Sequence, residues 1–200
     1  MNRIFHGRTR ILPTGILGAS LLFLSALILF QALPDPTCGF EADCLKAKVY
    51  NLPRQALRNQ FPEASIRRKS KFLSKGTRNR LQEKLGFPIG RFHTFYIAGK
   101  AGKVMGYGIF DTHRVRTKNE TLFIVIDANG SVRHVEIISF FEPEEYIVPK
   151  RWLNLFRGKS EGLYPGVDLP AISGATLTVN AVSRAVRKVL ALQKFHFGED

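Results

Sequence analysis

Metal and thiol chemistry have little to work with in this chain. Two cysteines, Cys38 and Cys44, and five histidines are spread over 200 residues without a CxxC, HExxH or CxxCH pattern. A zinc centre and an attached c-type haem are thereby set aside, so any redox chemistry must come from another cofactor. Acidic residues are scarce as well: 16 Asp plus Glu face 30 Lys plus Arg, for a formal charge of +14. That excess points to an anionic partner, surface or cofactor without choosing among them. No Ser/His/Asp order and no carboxylate pair stands out as catalytic machinery. With 44% hydrophobic and 23% charged residues the chain is neither disordered nor low in complexity, and its length suits one domain plus a short extra element.

The N-terminal part has the opposite character. Ile11 to Ala32 carry no charge, and as an α-helix this run would be about 33 Å long, enough to cross a bilayer. Arg3, Arg8 and Arg10 precede it, while Asp35, Glu41 and Asp43 follow. The arginine bias predicts a cytoplasmic N-terminus over 1–10, a single transmembrane anchor over 11–32, a linker over 33–45 and an exported domain over 46–200. The expected location is the cytoplasmic membrane of a bacterium, with the domain in the periplasm or outside. A cleaved signal peptide is the competing reading, but cutting after Ala32 would put Phe30 where a small residue is wanted. In an oxidising compartment Cys38 and Cys44 are a candidate disulfide.

The exported part reads as α+β, an antiparallel sheet packed by helices. Leu52, Ala56, Leu57 and Phe61 have helical spacing between Pro53 and Pro62, predicting a short helix within 52–64. A basic run follows, from Arg67 through Lys71 to Lys75 and Arg80, readable either as a solvated face or as a docking surface. It leads into a second helix, Thr77 to Leu85, stopped by Gly86 and Pro88. Four β-rich runs come next: Phe92 to Ala98, Lys103 to Phe110, Thr121 to Asp127 and Ser131 to Phe140. Asn129-Gly130 between the last two is a strong hairpin signal. Val132, Val135, Ile137 and Ile138 do not alternate cleanly, which implies a bulge or burial on both faces. Glu142 to Gly158 is expected to be a loop and short helix. Val179, Val182, Val186, Val189 and Leu190 then mark an amphipathic helix from about Thr178 to Lys194.

Just before that helix stand Ser173, Gly174, Ala175, Thr176, Leu177 and Thr178. Small and hydroxylated residues where unpaired helical N–H groups emerge can seat a phosphate. The same residue types also serve as ordinary N-caps, and local chemistry leaves both readings open.

At these residues the chain resembles the FMN-binding domain found in the extracytoplasmic flavin subunits of Na+-pumping NADH:quinone oxidoreductase and of the Rnf electron-transport complex, and in the regulator of nitrous oxide reductase. The motif of that family, Ser or Thr, then Gly-Ala-Thr, any residue, then Thr or Ser, is complete in Ser173 to Thr178. Ile126-Asp127-Ala128-Asn129-Gly130 is similar to the family's hairpin turn, and the likeness extends over roughly residues 46 to 195. It implies FMN as cofactor, bound by Ser173 to Thr178, with the final hydroxyl, Thr178, as the site of a phosphoester link made by a flavin transferase. Glu142 is the implied counterpart of a Glu that approaches the flavin, with a surface acid as the other reading, and Tyr146 and Trp152 are readable either as ring contacts or as packing aromatics. The family commonly has Asp three positions before the motif; this chain has Pro170 there, with Asp168 two residues upstream. The implied activity is electron relay to or from a membrane or periplasmic redox partner, acidic if the basic surface steers it, within an electron-transfer flavoprotein or a subunit of an oxidoreductase complex. A cofactor-free basic module that binds an anionic membrane, cell-wall polymer or protein is the alternative. Export and the lack of a recognition module argue against nucleic acid.

Overall fold

A computed structural model describes residues 48–198, so the expected transmembrane segment over 11–32 and the candidate disulfide of Cys38 and Cys44 lie outside the described residues. Among the described residues no helix is long and apolar enough to cross a membrane.

The chain opens with a two-residue strand, β1 (Lys48–Val49), and helix α1 (Pro53–Gln60), which has Pro at its start. Next come β2 (Ser65–Phe72) and α2 (Lys75–Leu85). The hydroxyl of Ser74 accepts the Thr77 N–H, and Gly86, at φ 78, closes the helix in a left-handed conformation that suits glycine. Then follow β3 (Phe92–Lys100), β4 (Lys103–Arg114), β5 (Asn119–Asp127) and β6 (Val132–Phe140). A connecting segment contains 3-10 turns at Glu144–Tyr146 and Asn154–Phe156 around the one-turn helix α3 (Lys150–Leu153). The long helix α4 (Thr176–Phe197) comes last.

The six strands form one antiparallel sheet in the order β1-β6-β5-β4-β3-β2. Its centre is covered on both faces. Leu122, Ile124 and Ile126 of β5 turn to the core beneath α4, while Phe123 and Val125 turn to a smaller core beneath α1. This two-sided burial is why β5 reads as an unbroken apolar run. Two register shifts between β5 and β6 explain the irregular apolar spacing of β6. One places Arg133 outside the ladder between Val132 and His134, and the other does the same to Ile138 between Ile137 and Ser139. As a result Val132, Val135, Ile137 and Phe140 share the α4 core and Ile138 joins the α1 core.

The basic run differs most from expectation. Arg67 to Lys71 lie in a regular edge strand paired with β3, not in a helical lead-in. Five polar residues separate Ile66 from Phe72, because an edge strand buries too little to impose an apolar period on its sequence. Helix α4 also runs longer than the spacing implied, beginning at Thr176 and ending at Phe197.

Phe123 is fully buried and stacks on Phe110 with ring centroids 4.6 Å apart. Phe123→Ala should therefore lower the unfolding free energy by about 3–5 kcal/mol in a urea titration.

Candidate functional site

Helix α4 lays Val179, Val182, Val186 and Val189 into the core, each at most 2% exposed. Docked in this way, its first turn stays at the surface, next to the β4–β5 turn and the Glu144–Tyr146 segment. Gly174 takes φ 81, a left-handed conformation, and a Cβ there would meet nothing within 4 Å. Glycine is needed for the turn, and the space above it is open. The N-cap is Ala175, whose N–H donates to the Ile172 carbonyl at 3.1 Å. An alanine side chain cannot cap, no other side chain among the described residues caps the helix, and its first turn holds no acid. The first-turn amides and the positive end of the helix dipole are therefore presented without an acceptor among the described residues. The structural-cap reading of Ser173 and Thr176 fails on this point, and both residues are exposed.

Thr178 faces the other way. It is 1% exposed, and its hydroxyl donates to the Tyr146 carbonyl at 2.6 Å. The Tyr146 ring lies under the Arg116 guanidinium, 5.9 Å from its centroid. Glu142 is buried too, and its carboxylate accepts the N–H groups of Arg116 (3.2 Å), Thr117 (2.5 Å) and Lys118 (2.6 Å). Burial opposes ionisation of Glu142, but the amides of Lys118, Thr117 and Arg116 outweigh it and hold the pKa below the ordinary carboxylate range. Its carboxylate is committed to shaping the β4–β5 turn. Val115, Arg116, Glu142, Tyr146, Gly174, Leu177 and Thr178 line a pocket of about 70 Å³.

A second pocket, about 280 Å³, shares Val115 and Leu177 with the first and continues along α4 past Ala181 and Arg184 to Lys188. A charged cluster unforeseen in the sequence stands in and behind its wall. His113 places Nδ1 3.1 Å from Asp111 and Nε2 3.0 Å from Glu120, and Lys188 reaches the other Asp111 oxygen at 2.5 Å. Both ring nitrogens can donate only if the imidazole is charged. Burial works against that charge, but the two carboxylates prevail and lift the His113 pKa to about 9. Asp111 is depressed: burial opposes its ionisation, and His113 and Lys188 overcome it. Glu120 is raised by burial, is fully inaccessible, and leaves Oε1 without a hydrogen-bond partner among the described residues. The register His113↔Glu120 brings the cluster together, and only the strand pairing could have announced it.

The structure thus gathers Glu142, Tyr146, Gly174, Leu177 and Thr178 around one pocket, with Ser173 and Thr176 exposed at the helix start. Ala175, 2% exposed, belongs to the core. Trp152 is a packing residue, 3% exposed, and its indole N–H donates to the Pro170 carbonyl at 2.9 Å. Asp168 accepts the Tyr164 N–H at 2.9 Å and so closes its own turn, which makes it a poor substitute for the acid missing at position 170.

Residues 118–191 match the family model of the FMN-binding domain. This stretch covers the whole of β5 and β6, the connecting segment and most of α4, and it indicates FMN as the cofactor. No curated protein matches the chain. The phosphate end of FMN fits what is present, because the uncapped amides and the open space at Gly174 supply donors and room. The 70 Å³ pocket is too small for the three-ring system; the neighbouring 280 Å³ pocket continues it over Leu177, with Val115 and Ala181 apolar and Asp111, His113, Arg184 and Lys188 charged or titratable in its lining.

Removing the Glu142 carboxylate leaves several amides without an acceptor. Glu142→Ala should cost about 1–3 kcal/mol and speed hydrogen exchange at 116–118. The charge on His113 also makes stability depend on pH. A histidine pKa raised from 6.5 to about 9 adds stability that is complete below pH 6.5 and is lost as the pH climbs through about 9. Thermal unfolding should fall across that window, and His113→Gln should flatten the fall.

Proposed function

Taking residues 118–191 as an FMN-binding domain, we propose that the chain is a membrane-anchored flavoprotein that relays electrons on the outer side of a bacterial cytoplasmic membrane. The observation that carries the reading is the uncapped start of α4, with Gly174 left-handed and open beside it. When bound, FMN supplies one- and two-electron transfer. The protein contributes position, partial exclusion of water and local charge.

In this reading the backbone amides of the first α4 turn hold the phosphoryl end, with the Ser173 and Thr176 hydroxyls at its side. Leu177 and Val115 offer apolar contact, and Arg116 and Tyr146 flank the entrance. The hydrogen bond from Thr178 to the Tyr146 carbonyl locks the connecting segment onto the helix and keeps the pocket's floor in place. A covalent phosphoester at this place suits an exported domain, because FMN lost there would be diluted, whereas a tether keeps it at high effective concentration. The family resemblance puts the link at Thr178. Burial and hydrogen bonding of that hydroxyl favour the exposed Thr176, which a transferase reaches without opening the helix contact. Membrane anchoring rests on the charge-free run Ile11 to Ala32 and the arginines before it. A redox partner presenting an acidic face fits the charge of +14.

Co-expression with a flavin transferase tests the link. The intact mass should rise by one FMN, the protein should be yellow, and Thr176→Ala should abolish flavin that survives acid denaturation, whereas Thr178→Ala should keep it at some loss of stability. Flavin lost only in Thr178→Ala would move the link to that residue. A colourless protein that takes up no FMN would return the chain to the cofactor-free alternative.

A further inference from the structure

Edge strand β2 carries cations out of proportion to its length. Arg67, Arg68 and Lys69 are exposed, Lys71 is half-exposed, and Lys75 follows at the start of α2. From Ala64 to Gln82 the sequence has no acidic residue. Among the described residues no carboxylate lies within salt-bridge distance of any of these cations, although the protein pairs Lys48, Lys100, Arg133 and Lys188 elsewhere. A merely solvated face would have no need of aromatics, yet the strand ends on an exposed pair. Phe72 and Phe92, 48% and 73% exposed, meet with centroids 4.9 Å apart, and the Arg91 guanidinium stands 4.6 Å from the Phe72 ring. Phe72 shares one face of β2 with Arg68, while Arg67, Lys69 and Lys71 stand on the other, Lys71 5.1 Å from the Phe197 ring. The strand would therefore meet a headgroup layer edge-on, with cations on both its faces and the exposed rings at its end.

We infer that β2, the start of α2 and the Phe72–Phe92 pair form a docking surface for a bilayer rich in anionic phospholipid. The choice of lipid over an acidic protein rests on the anchored reading above. If Ile11 to Ala32 span the membrane, residues 33–47 reach at most about 50 Å, so the domain is never far from lipid. Docking would hold the domain against the membrane in a fixed orientation. Charge reversal on β2 should weaken it by roughly fivefold for each cation removed.

The test uses the full chain with nanodiscs of phosphatidylcholine alone or mixed with phosphatidylglycerol, and reads amine acetylation by mass spectrometry. Lys69, Lys71 and Lys75 should be protected in the anionic discs only, with the protection lost at high salt and in the Arg67→Glu/Arg68→Glu variant. Exposed Lys159, outside the patch, should label equally in both. Equal labelling of the β2 lysines in the two discs would overturn the proposal, as would protection that appears only with an added acidic protein. Co-elution with the neutral discs reports on the anchor separately. Chain that ignores neutral discs but is protected by anionic ones would sustain the surface while removing the anchor.

Discussion

Helix α4 has to bury its valine stripe, and this requirement fixes where its first turn emerges. The stripe from Val179 to Val189 leaves no freedom to slide or rotate without exposing core. Once it is seated, the N-terminus lies beside the β4–β5 turn and the Glu144–Tyr146 segment, and Thr178 closes onto the Tyr146 carbonyl. The same burial places Thr178 inward and Thr176 outward, so one helical phase decides which hydroxyl supports the fold and which is open to chemistry.

The local chemistry is consistent with that placement. Helix α2 has Ser74 as its cap, whereas α4 has Ala175 at its N-cap and no side chain among the described residues caps it. Nearby acids are turned away from the open amides. Glu142 is spent on the amides of residues 116–118, and Asp111 and Glu120 on His113. The first turn of α4 is therefore a donor-rich spot of positive potential at the edge of a groove of mixed apolar and charged lining, and such a spot suits an anion.

The last helix, the hairpin strands and the motif were legible because each is local: a 3.6-residue stripe, β-branched runs and a short pattern of small residues. Strand β2 was not, since on an edge the run Arg67 to Lys71 has little apolar partner to reveal its period. The role of Glu142 was also hidden. Its partners are backbone amides 24 to 26 residues away, which no side-chain pattern announces. The His113 cluster needs the β4–β5 register, and the two bulges of β6 show how little a sequence says about register.

Phosphate recognition at the start of α4 is tested most directly by comparing FMN with riboflavin, which lacks the phosphate, and following backbone amide shifts of the isotope-labelled protein. The account predicts tighter binding of FMN, with the largest shifts at Gly174 to Thr178. Equal affinity for the two flavins, or shifts that leave these amides untouched, would contradict it.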